Sequence, residues 1–110
     1  CYQAAVSLMI KFHMDGTEGE YRLVHAEVVG QGPIDGFRFG HAWVVHVETD
    51  TVIDTANGKD IKMPRIVYEA LAGMYSIGFN KHEYTYQQMA EKMLKAKHYG
   101  PWDLVTSTGM

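Results

Sequence analysis

A chain of 110 residues with 46% apolar residues is long enough for one hydrophobic core and too short for two. Ten Lys and Arg against 13 Asp and Glu leave a net charge of -3, which gives no general pull toward nucleic acid or an anionic membrane. The single cysteine cannot form an internal disulfide, and no apolar run reaches the roughly 20 residues that span a bilayer. No signal-peptide pattern is present, and the expectation is a cytoplasmic protein held by its core: one domain over residues 1–105, with a frayed end at 106–110.

The first segment reads as a helix, because Cys1, Ala4, Ala5, Leu8, Met9 and Phe12 recur at steps of three and four. Asp15-Gly16 and Gly19 end it. Two β-rich stretches follow, Tyr21 to Val29 and Phe37 to Val47, separated by the loop Gly30-Gln31-Gly32-Pro33-Ile34-Asp35-Gly36. In the second stretch Phe37, Phe39, His41, Trp43, Val45 and Val47 share one face by the period of two. A third strand, Thr51 to Thr55, follows as a hairpin partner, and Asn57-Gly58 signals a turn.

Pro64 suits the start of a short helix over Arg65 to Ala72, and Met74 to Phe79 reads as a strand interrupted by Gly78. The last element is a helix opened by a capping box, Thr85-Tyr86-Gln87-Gln88, with Tyr86, Met89, Ala90, Met93 and Leu94 on its apolar face. Lys95, Lys97 and His98 suit its carboxyl end, and Gly100-Pro101 stops it. The fold class is therefore α+β: an amino-terminal helix carrying the cysteine, packed on an antiparallel sheet of about three to five strands, with a carboxyl-terminal helix.

A helix amino terminus favours thiolate over thiol, and the thiolate is the nucleophile. A cysteine hydrolase also needs an imidazole to form the ion pair and protonate the leaving group, and a third group to fix the ring tautomer. The chain offers Cys1, then His41 in Gly40-His41-Ala42-Trp43-Val44, then Asp54 in Val52-Ile53-Asp54-Thr55. The plain alternative is a buried thiol, a core histidine and a turn aspartate.

A cysteine opening a helix, His-Ala-Trp-Val on one strand and Ile-Asp-Thr on the next resemble the papain-like cysteine hydrolases, particularly their transglutaminase-like branch. The likeness covers about the first 60 residues. It implies a papain-like core, with Cys1 as nucleophile, His41 as general acid/base and Asp54 as the orienting group. It further implies a protein or peptide substrate, no cofactor and no metal. The outcome would be peptide hydrolysis first, with glutamine deamidation or transglutaminase-like acyl transfer as the alternatives. Family members draw an oxyanion donor from a segment before the nucleophile. In this sequence the candidates are the amide after Cys1 and the side chains of Gln3 or Gln31.

Register bears on the third member. If Thr49 centres a three-residue loop, His41 faces Asn57 while Asp54 faces Val44, roughly 10 Å along the strand from His41. Asn57 is thus a rival to Asp54, although a carboxylate stabilises an imidazolium more strongly. Trp43 would wall the site or belong to the core, and Tyr2 would border a substrate groove or pack on the sheet.

Three other readings compete. An amino-terminal-nucleophile hydrolase would use the α-amine of Cys1 as base, but the residues after Cys1 have helical periodicity where that class has a strand. The six histidines could hold a metal, yet His41 and His46 face opposite sides of their strand and no His-x-x-x-His pair occurs. A non-catalytic binding module could use the basic clusters Lys59, Lys62, Arg65 or Lys92, Lys95, Lys97.

Overall fold

Helix α1 (Tyr2–Met14) forms where the apolar spacing puts it, with Cys1 as its N-cap and Ala5, Val6 and Met9 buried. The computed structural model describes residues 1–105 and, at Gly32 and Asn57, the backbone alone; the expected frayed end lies outside the described residues. Five strands follow, β1 (Tyr21–Val29), β2 (Arg38–His46), β3 (Thr51–Asp54), β4 (Ile61–Pro64) and β5 (Lys81–Tyr84). They form one antiparallel sheet in the order β4-β3-β2-β1-β5.

Alternation along the strands divides the core into two layers. On one face Ala5, Val6 and Met9 of α1 and Met89 of α4 (Tyr86–Ala96) pack on Leu23, Ala42, Val44 and Tyr84. On the other, Tyr68 of α2 (Arg65–Leu71) and Met74 of α3 (Met74–Ile77) pack on Val24, Ala26, Val28, Trp43, Val45 and Val52. The α+β class with an amino-terminal helix on an antiparallel sheet is therefore the observed architecture.

Three details differ from the sequence reading. The strand expected at Met74–Phe79 is instead the one-turn helix α3, bracketed by Gly73 and Gly78 at φ 71° and 78°, with fully buried Met74 as its anchor. The strand in this region is β5, a few residues later. β4 gave no clear signal, because only Ile61 and Met63 of its four residues turn inward. On α4 the capping box is complete, with Gln88 N–H donating to Thr85 Oγ1 (3.2 Å) and Thr85 N–H to Gln88 Oε1 (2.9 Å). Leu94, however, is 80% exposed rather than part of the inward face, and the helix ends at Ala96, with Lys97 in the left-handed region, before Gly100-Pro101.

Candidate active site

The β2–β3 hairpin decides how the candidate histidine and aspartate meet. Val44 faces Ile53 and His46 faces Thr51, leaving a four-residue connection, Val47 to Asp50. Asp50 takes a left-handed conformation (φ 53°), which aspartate tolerates better than most residues. It is pinned there by Arg65, whose Nε and Nη2 donate to its carboxylate at 2.7 and 3.0 Å.

One more loop residue than the symmetric reading assumed shifts the register by one. Extended past the paired segment, that register sets Asp54 beside Trp43 and Ala56 beside His41, so Asp54 becomes a diagonal neighbour of His41 on the same face. The roughly 10 Å separation that favoured Asn57 does not exist. The backbone of Asn57 lies in a short 3₁₀ turn, Ala56–Gly58.

His41 Nε2 donates to Asp54 Oδ2 at 2.9 Å. Since a carboxylate only accepts, this bond keeps a proton on Nε2 and makes Nδ1 the unprotonated nitrogen of the neutral ring. The Tyr68 hydroxyl also donates to Oδ2 (2.6 Å), and the Ala56 amide donates to Oδ1 (2.9 Å), an Asx turn two residues on.

Asp54 is 6% exposed. Burial alone would raise its pKa, but the hydrogen bonds from His41, Tyr68 and Ala56 outweigh it and hold the carboxyl at about 2. Burial, and then the carboxylate it serves, push the Tyr68 phenol well above its usual value. Trp43 belongs to the core: it is buried, its ring centroid 5.9 Å from that of His41 and 4.9 Å from that of Tyr68. Tyr68 has no counterpart in the sequence reading, which identified its helix and not its partner. The available signal was generic, since a buried tyrosine needs an acceptor.

Cys1 enters from the other layer. Tyr2 packs edge-on against His25 (4.8 Å between ring centroids), and Phe12 stacks on Tyr21 (3.6 Å). Because His25 pairs with Ala42 and Tyr21 with His46, α1 runs alongside β2 in the same direction. Ten helical residues rise about 15 Å and four strand residues about 13 Å, so the two elements keep level.

The amino terminus of α1 thus lies level with Ala42, the strand neighbour of His41. The helix packs on the Ala42 face, whereas His41 points to the face carrying Tyr68. Cys1 is exposed, and among the described residues its thiol makes no hydrogen bond.

The Tyr2 amide belongs to the first turn, where N–H groups lack helical partners. No acidic side chain occupies that turn to oppose a thiolate. Gln3 is exposed, whereas the Gln31 side-chain amide donates to the Leu71 carbonyl.

The other sequence candidates have different placements. His13 bonds Glu18, and His46 bonds Glu20 and Thr49. Arg65 is shared between Asp50 and Glu69, and Lys92 pairs with Asp103, so neither basic cluster is a free row of cations. Among the described residues no group of three His, Cys, Asp or Glu side chains could hold a metal ion, and no helix is long and apolar enough to cross a membrane.

Compared with known proteins, the chain matches no family model, no curated protein and no solved structure.

Proposed function

We propose that the chain is a thiol hydrolase of the papain-like, transglutaminase-like kind, acting on a peptide or carboxamide carbonyl of a protein or peptide. The observation that carries this reading is the His41–Asp54 bond, made through Nε2 and reinforced by Tyr68, at the level of the helix end that carries Cys1.

The proposed cycle requires the Cys1 thiol to reach round the end of the sheet from the Ala42 face to His41; it then gives its proton to Nδ1, and the thiolate attacks the carbonyl carbon. The resulting oxyanion takes a hydrogen bond from the Tyr2 amide. Collapse of the tetrahedral intermediate breaks the C–N bond, and the departing amine takes the proton from Nδ1, leaving a thioester on Cys1. His41 Nδ1 then accepts a proton from water as the hydroxide equivalent adds to the thioester; loss of the sulfur, reprotonated by the same nitrogen, frees the acid. Asp54 remains ionised throughout and steadies the imidazolium. An amine in place of water would give transamidation, and a glutamine side chain as substrate would give deamidation. Peptide hydrolysis is the first reading, because the groove beside His41 is mostly apolar.

The test is the titration of Cys1 by a haloacetamide, in the intact chain and in His41→Ala. A depressed thiol pKa that rises in the variant supports the ion pair. A pKa near the ordinary value of about 8.5 in both would sink the mechanism.

A further inference from the structure

The face that carries His41 also carries a groove of about 290 Å³, lined by Val28, Phe39, Met63, Leu71 and Ala72 around His41 and Tyr68. That volume lies at the lower limit for pockets that take drug-sized ligands, which suits one side chain rather than a folded segment. Its outer wall is the loop between β1 and β2. Gly30 N–H donates to the Phe37 carbonyl (2.7 Å) and Phe37 N–H to the Ile34 carbonyl (3.1 Å), so the loop closes on itself. A Cβ at Gly30 would collide with the Ile34 carbonyl oxygen, so the wall depends on glycine there. The Gln31–Leu71 hydrogen bond ties the loop to α2.

The polar groups of the lining are not all available to a ligand. Gln31 is committed to Leu71 and the Tyr68 hydroxyl to Asp54. Lys59 lines the same groove, is exposed, and forms no ion pair among the described residues. What remains is an apolar slot with His41 in its wall and an exposed ammonium among its lining groups.

We infer that this groove selects the substrate: it takes one large apolar side chain of a peptide, and Lys59 pairs with an acidic side chain next to it. The inference rests on the hydrolase reading for the identity of the occupant as substrate. The apolar walls exclude a charged side chain, whose burial without a partner is costly. The ammonium disfavours a basic neighbour by the same charge logic.

A binding experiment keeps the two readings apart. The probes are three short blocked peptides: one with phenylalanine followed by glutamate, one with serine in place of the phenylalanine, and one with lysine in place of the glutamate. Binding is followed by amide chemical shifts of the Cys1→Ser chain, which cannot turn over. The first peptide should shift Val28, Phe39, Met63 and Leu71 and bind roughly tenfold or more tightly than the serine peptide. Lys59→Glu, at an exposed position, should reverse the preference between the glutamate and lysine peptides, and Leu71→Asp should weaken the first peptide selectively.

Equal binding of the phenylalanine and serine peptides, shifts elsewhere in the chain, or an unchanged charge preference in Lys59→Glu would each overturn the proposal. Seating of the peptide in the groove of a chain whose Cys1 titrates as an ordinary thiol would retain the groove and remove the hydrolase. A reactive Cys1 with no peptide in the groove would do the opposite.

Discussion

Asp54 reaches His41 diagonally across the β2–β3 hairpin, its Oδ2 2.9 Å from Nε2, because four residues rather than three connect the strands. In the proposed hydrolase this carboxylate is the orienting group: it holds the ring, fixes the tautomer and leaves Nδ1 for the chemistry.

Asp54→Asn tests that role. An amide can donate to Nε2 as readily as it accepts, so the proton is no longer held on Nε2 and the wrong tautomer becomes populated. Turnover of a peptide substrate should fall by roughly 10²- to 10⁴-fold, mainly in kcat, with KM changed little. A variant that keeps most of its kcat would show that Asp54 only braces the fold.

Tyr68→Phe removes one of the donors that depress Asp54 and leaves the ring packing on Trp43 intact. The Asp54 carboxyl is held at about 2 in the folded chain against an ordinary aspartate value of 3.8. Its contribution to stability is therefore fully present above the unfolded value and is lost as pH falls through the folded one. The difference corresponds to about 2 kcal/mol. In the phenylalanine variant Asp54 should titrate higher, and the acid unfolding limb should begin at higher pH. Coincident acid limbs for the two proteins would contradict this account.

The elements that sequence made legible are those with strong local chemistry: the apolar spacing of α1, the alternation from Phe39 to Val45, and the capping box at Thr85. The His41 and Asp54 pairing was legible as residue types and not as geometry, because register turned on Asp50, whose left-handed backbone depends on Arg65, 15 residues away. Tyr68 was hidden for a similar reason, since its hydroxyl meets Asp54 only after α2 folds back over β3. The short strands β4 and β5, of four residues each, carry too few alternations to stand out from a loop.

Cys1 and His41 should separate function from stability. Cys1 is exposed and its thiol makes no hydrogen bond among the described residues, so Cys1→Ala should change unfolding stability by no more than about 0.5 kcal/mol while removing turnover. His41→Ala should also abolish turnover. It deprives Asp54 of one of its donors and should cost about 1–2 kcal/mol by denaturant unfolding. Turnover surviving in Cys1→Ala at more than a trace would place the chemistry elsewhere.

His25 supplies an independent pH test. It is fully buried, neither ring nitrogen has a hydrogen-bond partner among the described residues, and the rings of Tyr2, Tyr84 and Trp102 enclose it at 4.8 to 5.2 Å between centroids. Burial first, and then the charge of His82 across the β1–β5 ladder, lower its pKa from 6.5 to about 4, with Asp103 opposing. The unfolded chain binds this proton between those values and the folded chain does not. Stability from His25 is therefore present above pH 6.5 and is lost as pH falls toward 4, by about 3 kcal/mol. His25→Leu keeps an apolar side chain of similar size in the aromatic cage, and its stability should fall less over that window. Proton NMR of the native chain gives the second readout: the His25 ring signals should stay at their neutral position down to about pH 5, where ordinary histidines are already charged. A His25 that titrates near 6.5 in the folded chain, or equal pH slopes for native chain and variant, would show that the cage tolerates the charge.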